Sequence, residues 1–541
     1  MDGNGGSQAR KGRGLAIARR SIQASVLALF VGLAFAAAYP PLRVPASNFL
    51  LRLDPLAAVV SIITTHNMSV ITLFWPAWVL LGLTALSARF FCGWICPLGT
   101  CFDAAGTVKP KALRYYEADG EQIRDMRSGA AGNEAGRRVS ASRLRSAVKY
   151  LFLLVVVVLA LAGVNLLFIG SPMVVVNNTV YTLLLPGVPV LFILLVLAAF
   201  FYRPRFWCED LCPMGALMSL VSLAGKKLPG RVSPLSVVKS PSACTSCGVC
   251  FKSCDFGIVE PFVSSREGRL LSSGCTACGD CVAACPAHGA LALEGFGGTL
   301  YGSAVVKDAD PEPPPQSSPW KGGGSPNRSS SWKGGGSRND ALHVGRREFI
   351  ESVGLGAVLL AGYGIGLRKS PAPVLRMPGA QDESLFLARC NRCMECARAC
   401  PPNCLKPTGI DAGFQKLWTP RFVPREAGCV FDQCGQACQR VCPAGAIEPV
   451  KPEDVRIGLA NINRHTCLGW RGKSCLVCME RCRFNAVKMD GLRPSVIADK
   501  CTGCGACEET CPTHPESIRV KPLANAGSGQ GGGQQRRGSR G

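Results

Sequence analysis

Histidine is scarce in this sequence, with five among 541 residues. No C-x-x-C-H site for haem attachment occurs. Dinucleotide and flavin fingerprints are missing, and no nucleophile, base and acid form a catalytic set. No RNA- or DNA-binding motif is present. These absences point away from haem, hydride and hydrolytic chemistry, and they leave no catalytic residue to name.

Cysteine, by contrast, is abundant, with thirty in the chain. Most fall in C-x2-C-x2-C-x3-C runs, often followed by proline, the ligand spacing of [4Fe–4S] clusters. Zinc sites favour two separated pairs. A disulfide framework needs separated partners in a small secreted chain. Neither fits.

Lys and Arg outnumber Asp and Glu by 60 to 36, a formal charge of +24. That figure overstates the basicity, because a [4Fe–4S] core with four thiolates carries about −2. Six clusters would remove about twelve positive charges. The rest of the excess lies beside apolar runs and in the last residues. That placement fits membrane topology rather than nucleic-acid binding.

Residues 1–20 form a basic tail. Four apolar runs follow, Ile22–Tyr39, Val70–Phe90, Val148–Ile169 and Val180–Tyr202. Each is near the twenty or so residues that cross a bilayer as a helix. The loop from Lys109 to Arg145 is basic, as is the stretch from Arg203 to Arg231, whereas "GSPMVVVNNT" carries no charge. The positive-inside bias then places both ends of the four-helix unit in the cytoplasm. Residues 21–239 are therefore expected to be a four-span membrane domain. Residues 240–295 read as a cytoplasmic two-cluster module and 296–344 as a Pro/Gly/Ser linker with a repeated W-K-G-G-G-S. Residues 345–370 read as a signal-like fifth span, 371–523 as a periplasmic four-cluster domain and 524–541 as a polar tail. The expected fold class is a multi-domain membrane protein, a four-helix transmembrane unit plus α+β bacterial-type ferredoxin modules.

The first module holds Cys244, Cys247, Cys250 and Cys254, then Cys275, Cys278, Cys281 and Cys285. In two-cluster ferredoxins the fourth cysteine of each run ligates the other cluster. Cys244, Cys247, Cys250 and Cys285 are expected to hold one cluster, and Cys275, Cys278, Cys281 and Cys254 the other. The second domain has four runs: Cys390, Cys393, Cys396, Cys400; Cys429, Cys434, Cys438, Cys442; Cys467, Cys475, Cys478, Cys482; and Cys501, Cys504, Cys507, Cys511. Six clusters in all are expected. For the exchange of fourth ligands, nested pairing is expected, first run with fourth and second with third. Cys404 is left over and reads as a buried spare thiol. His288, His465 and His514 lie beside runs, in reach of a tuning role.

Two C-x3-C-P-x-G motifs sit at the ends of the second and fourth apolar runs. They hold Cys92 and Cys96, with Cys101 nearby, and Cys208 and Cys212. Their matched placement indicates an internal repeat. A shared metal or cluster site and a structural pair of helix ends, joined or not by a disulfide, both remain open. His66 lies near the outer end of the second run, where protons of a quinol would leave, although a structural role is the commoner one for such a residue.

Arg346 and Arg347 begin "GRREFI", close to a twin-arginine export signal. The apolar part, Val353–Leu367, is short and glycine-rich, which suits a signal core. No A-x-A cleavage site follows, so the segment is expected to stay uncleaved as an anchor.

These motifs resemble two families. Residues 20–290 resemble NapH, the membrane ferredoxin-type subunit of periplasmic nitrate reductase systems, through the apolar runs, the paired C-x3-C-P motifs and the two-cluster module. Residues 343–522 resemble NapG, its exported four-cluster partner, through the twin arginines, "LRMPGA" and the four runs in order. The MauN and MauM proteins of methylamine oxidation are similar to both. The resemblance implies quinol as electron donor, a periplasmic redox enzyme or cytochrome as acceptor, and a bacterial inner-membrane location. It implies no nucleic-acid partner. A redox-sensing or cofactor-maturation role is the main alternative.

Overall fold

A computed structural model describes residues 5–36, 49–65, 68–86, 89–108, 134–161, 165–184, 189–201, 205–226, 236–240, 243–244, 249–254, 256, 274–287, 290–295, 298–302, 373–380 and 382–523. His66, Cys247, His288, the linker and the Arg346–Arg347 segment lie outside the described residues.

The first half is helical. Its elements are α1 (Gly5–Ala36), α2 (Phe49–Arg52), α3 (Pro55–Thr65), α4 (Ser69–Leu73), α5 (Trp75–Leu86), α6 (Phe90–Trp94), α7 (Pro97–Val108), α8 (Glu134–Leu161), α9 (Leu167–Gly170), α10 (Pro172–Leu184), α11 (Val190–Phe201) and α12 (Pro213–Lys226). Side-chain caps set several starts. Asp54 Oδ1 accepts from the N–H groups of Leu56 and Ala57, at 2.9 and 3.2 Å, and so begins α3. Asn165 Oδ1 accepts from Leu167 N at 2.9 Å and begins α9. Leu56, Val60, Phe74, Phe91, Leu98, Phe102, Leu167 and Met173 form the centre of the core.

No single described helix covers the second, third or fourth expected span. Among the described residues, one helix is both long and apolar enough to cross a bilayer, at Ile17–Phe35. The second run splits into α4 and α5, where Pro76 lacks the N–H that would continue a helix. The fourth holds the end of α10 and the whole of α11, with residues 185–188 outside the described residues. The third run is helical over Val148–Leu161 in α8 and again over Leu167–Ile169 in α9. The shorter helices still show apolar outer faces, including Trp75, Val79 and Leu83 on α5, and Val190, Leu194, Leu197 and Phe201 on α11.

The first cysteine-rich module carries an antiparallel sheet, β1 (Ser236–Lys239), β2 (Leu291–Gly295) and β3 (Gly298–Gly302), in that order. Val237 pairs with Leu293 and Leu293 with Tyr301. The module is thus wider than 240–295, since its outer strands lie beyond both limits.

The second domain contains three two-stranded antiparallel sheets. They are β4 (Leu405–Pro407) with β5 (Pro420–Phe422), β6 (Leu459–Ile462) with β9 (Ile518–Lys521), and β7 (Val487–Asp490) with β8 (Arg493–Val496). Its apolar interior forms two cores, and cysteines are members of both.

Both cysteine-rich modules rest on the helical half, at opposite ends of the apolar stretch Ile17–Phe35 of α1. Arg19 pairs with Asp280 of the first module at 2.7 Å. The carbonyl of Ala34 accepts from Arg398 of the second at 3.2 Å. Fifteen residues of helix separate Arg19 from Ala34, a rise of about 22 Å.

Candidate iron–sulfur centres

Each cysteine run folds the same way. The third cysteine lies on a four-residue helix that carries the chain toward the last. These helices are Val249–Lys252, Asp280–Ala283, Glu395–Arg398, Ala437–Arg440, Val477–Glu480 and Ala506–Glu509. Every one ends two residues short of its run's fourth cysteine. In four runs the residue just before the helix is left-handed, Gly279 (φ 80°), Met394 (φ 61°), Gln436 (φ 53°) and Gly505 (φ 81°). Glycine suits that conformation. At Gly505 a Cβ would also lie only 2.6 Å from Pro424 Cβ.

The loops aim backbone N–H groups at sulfur. Arg392 N approaches Cys390 Sγ at 3.4 Å, and Ala277 N approaches Cys275 Sγ at 3.4 Å. Ala446 N donates to Cys442 Sγ and Ala486 N to Cys482 Sγ, both at 3.2 Å. Such contacts stabilise thiolates and tune a bound cluster. The histidines do not serve this purpose among the described residues. His465 is exposed, and His514, also exposed, faces Arg425 at 3.4 Å.

The fold groups the ligands into sets. Cys390, Cys393, Cys396 and Cys442 line one cavity of about 330 Å³. Cys400, Cys429, Cys434 and Cys438 line another of about 420 Å³. Cys467, Cys475, Cys478 and Cys511 line a third of about 370 Å³. Cys482 joins Cys501, Cys504 and Cys507. The nested pairing expected from sequence is therefore incorrect. First pairs with second and third with fourth, because each pair folds as a local unit around its own core. In the first module Cys281 has Cys278, Cys275, Cys254 and Cys250 as electrostatic neighbours. Cys244, Cys250 and Cys285 lie in the same module.

Burial pushes these thiols upward, Cys390 to about 11 and Cys278 to about 12. Cys393 and Cys396 rise well above the ordinary thiol range through burial and then through neighbouring sulfurs. A bound cluster must displace those protons, so binding and deprotonation are linked. Four buried sulfurs around an apolar-walled cavity fit a [4Fe–4S] group, which supplies one-electron transfer when bound. Among the described residues, no three His, Cys, Asp or Glu side chains close on a single metal ion.

Cys404 is buried in the second cavity, with its Sγ 3.4 Å from that of Cys400. It is a fifth thiol beside a set of four. The sulfurs of Cys400 and Cys429, together with burial, hold it protonated.

The membrane-edge cysteines also come together. Cys96, Cys208 and Cys212 are buried and Cys92 is nearly so. Each of Cys96, Cys208 and Cys212 has others of the four as electrostatic neighbours. Burial raises Cys101 to about 11 on its own. Sequence reasoning missed the buried arginines around this group, Arg89 and Arg205, although each stands three residues before its motif's first cysteine.

Known proteins agree with this arrangement. A 4Fe-4S dicluster domain matches residues 236–290, and 4Fe-4S binding domains match residues 69–113, 184–231, 387–409 and 494–515. Ferredoxin-type protein NapG of Escherichia coli (strain K12) is 35% identical over 205 residues, covering 34% of this chain and 87% of that protein. The chain belongs to the NapG/MauM family of ferredoxin-type proteins. Methylamine utilization ferredoxin-type protein MauM of Methylorubrum extorquens is 37% identical over 192 residues, 33% of this chain and 86% of MauM. Ferredoxin-type protein NapF of Escherichia coli is 28% identical over 145 residues, 26% of this chain and 80% of NapF. No solved structure matches the chain. Multiple 4Fe–4S modules and this kinship make the chain an iron–sulfur, ferredoxin-type electron-transfer protein.

Proposed function

We propose that the chain is a membrane-bound electron conduit, taking electrons from the quinol pool and passing them to a periplasmic oxidoreductase or cytochrome. The observation that carries this reading is the seating of two cluster modules at opposite ends of one helical unit. Arg19, at the start of the apolar stretch of α1, meets the first module, and Ala34, at the end of that stretch, meets the second. One protein thereby offers redox centres on both sides of its apolar layer.

The helical residues hold the modules rather than react. Arg89 N donates to the carbonyl of Cys275 at 2.9 Å, and Trp94 Nε1 to that of Ala277 at 3.3 Å. Asn177 and Arg398 fix the other module. The exposed apolar faces of α1, α5 and α11 suit lipid rather than water. Under this reading the first module is cytoplasmic, the second is periplasmic, and the Arg346–Arg347 segment supplies the remaining crossing. The relatives named NapG support a nitrate-reductase-like acceptor.

The test uses right-side-out membrane vesicles and a reduced quinol. The clusters of residues 390–511 should become reduced, as seen by EPR, and protease added outside should reach that domain. Clusters that stay oxidised, with a partner enzyme merely lacking its cofactor, would overturn the conduit in favour of maturation.

A further inference from the structure

The third cysteine run is stretched. Seven residues separate Cys467 from Cys475, where two separate the first pair of cysteines in the first and fourth runs. The insert folds as a compact loop. Arg471 N donates to the Cys467 carbonyl at 3.0 Å, and Lys473 N to that of Leu468 at 2.9 Å. Gly472 turns the tip with φ 78°. Trp470 anchors the base, donating through Nε1 to the Pro494 carbonyl at 3.1 Å. Two guanidinium carbons approach its ring, that of Arg464 at 4.4 Å and that of Arg493 at 5.5 Å.

The loop presents charge. Residues 463–500 carry eight Lys and Arg against three Asp and Glu. Arg464, Arg471, Lys473 and Arg481 are exposed, and none has an ion-pair partner among the described residues. Around the first ligand set the cations Arg392, Arg398 and Lys416 are buried instead. Unpaired like charges repel one another, so stability of the fold does not explain their gathering. A bound cluster of about −2 offsets only part of the excess. Leu476, next to the ligand Cys475, is exposed as well.

The ligand sets connect in a fixed order. The first set meets the helices through Cys393 and Arg398. It exchanges Cys400 and Cys442 with the second set. Cys429 N of the second set donates to the carbonyl of Cys504 at 2.7 Å, which joins it to the fourth run. That run exchanges Cys482 and Cys511 with the third. The series that starts at the helices therefore ends at the Cys467–Cys475 loop.

We propose that this loop is the surface where electrons leave the second domain, and that the acceptor is a soluble redox protein docking by a carboxylate-rich face. One electron passes. The donor cluster is oxidised by one unit and the acceptor's metal centre is reduced by one, with no bond made or broken. Opposite charge speeds the encounter and orients the partner over the ligands. The assignment rests on the outward passage of electrons proposed above, but not on quinol as the donor.

The test uses the full chain in detergent, reduced anaerobically with dithionite and freed of the excess. The probe is cytochrome c with its lysines either intact or succinylated into carboxylates. Haem reduction should be faster with the succinylated protein and should slow as salt rises. Arg471→Glu with Lys473→Glu should cut that rate about tenfold or more. Calorimetry should show weaker binding of the succinylated protein by a similar factor. Iron content and EPR signals should match the parent, which shows that the variant is folded. Lys451→Glu with Lys521→Glu, both exposed elsewhere in the domain, should change the rate less than about twofold. Equal rates with both cytochromes, or an equal loss in the two double variants, would overturn the surface and leave outward transfer standing. Transfer to neither cytochrome would overturn both. Protection of Lys473 from trypsin in nanodiscs of phosphatidylglycerol, but not of phosphatidylcholine, would assign the face to lipid instead.

Discussion

The side-chain amide of Asn177 donates to the backbone carbonyl of Cys393 at 2.7 Å. One residue lies on a helix of the first half, and the other is a cluster ligand more than two hundred positions later. The same amide's oxygen accepts from Arg398 at 2.8 Å. Arg398 in turn pairs with buried Glu395. The two halves are therefore joined by a polar latch at the ligand loop of one particular cluster. The set of Cys390, Cys393, Cys396 and Cys442 is the part of the second domain that meets the helices.

Arg398→Ala should unlatch the halves. It leaves Glu395 buried without its partner, a loss of about 3 kcal/mol or more. Arg398→Lys should not restore docking, because an ammonium lacks the planar fork that reaches Ala34, Asn177 and Glu395 together. A protease site placed in the linker between residues 311 and 335 gives the measurement. After cleavage the halves should co-elute in the parent chain and separate in either variant.

The ligand sets make a second prediction. Cys390→Ser with Cys442→Ser strikes a single cluster, so the double variant should lose about four iron atoms. Nested pairing would place those residues in different clusters and double the loss. Iron analysis of the purified variant decides between them.

That contrast shows what was legible in the sequence. Ligand spacing within a run is local, so the cysteines of each run could be read directly. The exchange of fourth ligands depends on which units pack together, and spacing does not carry that information. The break before Pro76 was a visible signal, but average hydropathy across the run masked it. The latch was not legible. Asn177 sits in an uncharged stretch and Arg398 among cysteines, and only the fold brings them within a hydrogen bond. The repeated arginine before each C-x3-C is readable in the sequence, but the burial of Arg89 and Arg205 is a product of the fold.

Cys404 should tune a cluster without holding it. Its thiol lies against Cys400 Sγ, and a hydrogen bond to a ligand sulfur favours the reduced, more negative state. Cys404→Ala should leave the iron content unchanged and lower the midpoint potential of one of the four signals of the second domain. A redox titration followed by EPR reads both effects. Loss of about four iron atoms would instead make Cys404 a ligand.

Iron removal should unfold the second domain and spare the first half's helices. The strands of residues 373–523 are three or four residues long, and the longest helix has seven. Elements this short are unstable without tertiary support. The support here is largely cysteine. Cys390, Cys396 and Cys504 belong to one apolar core, and Cys501, Cys507 and Cys511 to the other. Without iron these sulfurs become protonated thiols around a cavity, and the energy of cluster binding is lost from folding. The helical core depends on Leu56, Phe74, Phe91 and Phe102 instead. Chelation in detergent should therefore leave most of the far-UV helix signal while proteolysis digests residues 373–523. A stable iron-free fragment spanning those residues would show that their apolar contacts suffice alone.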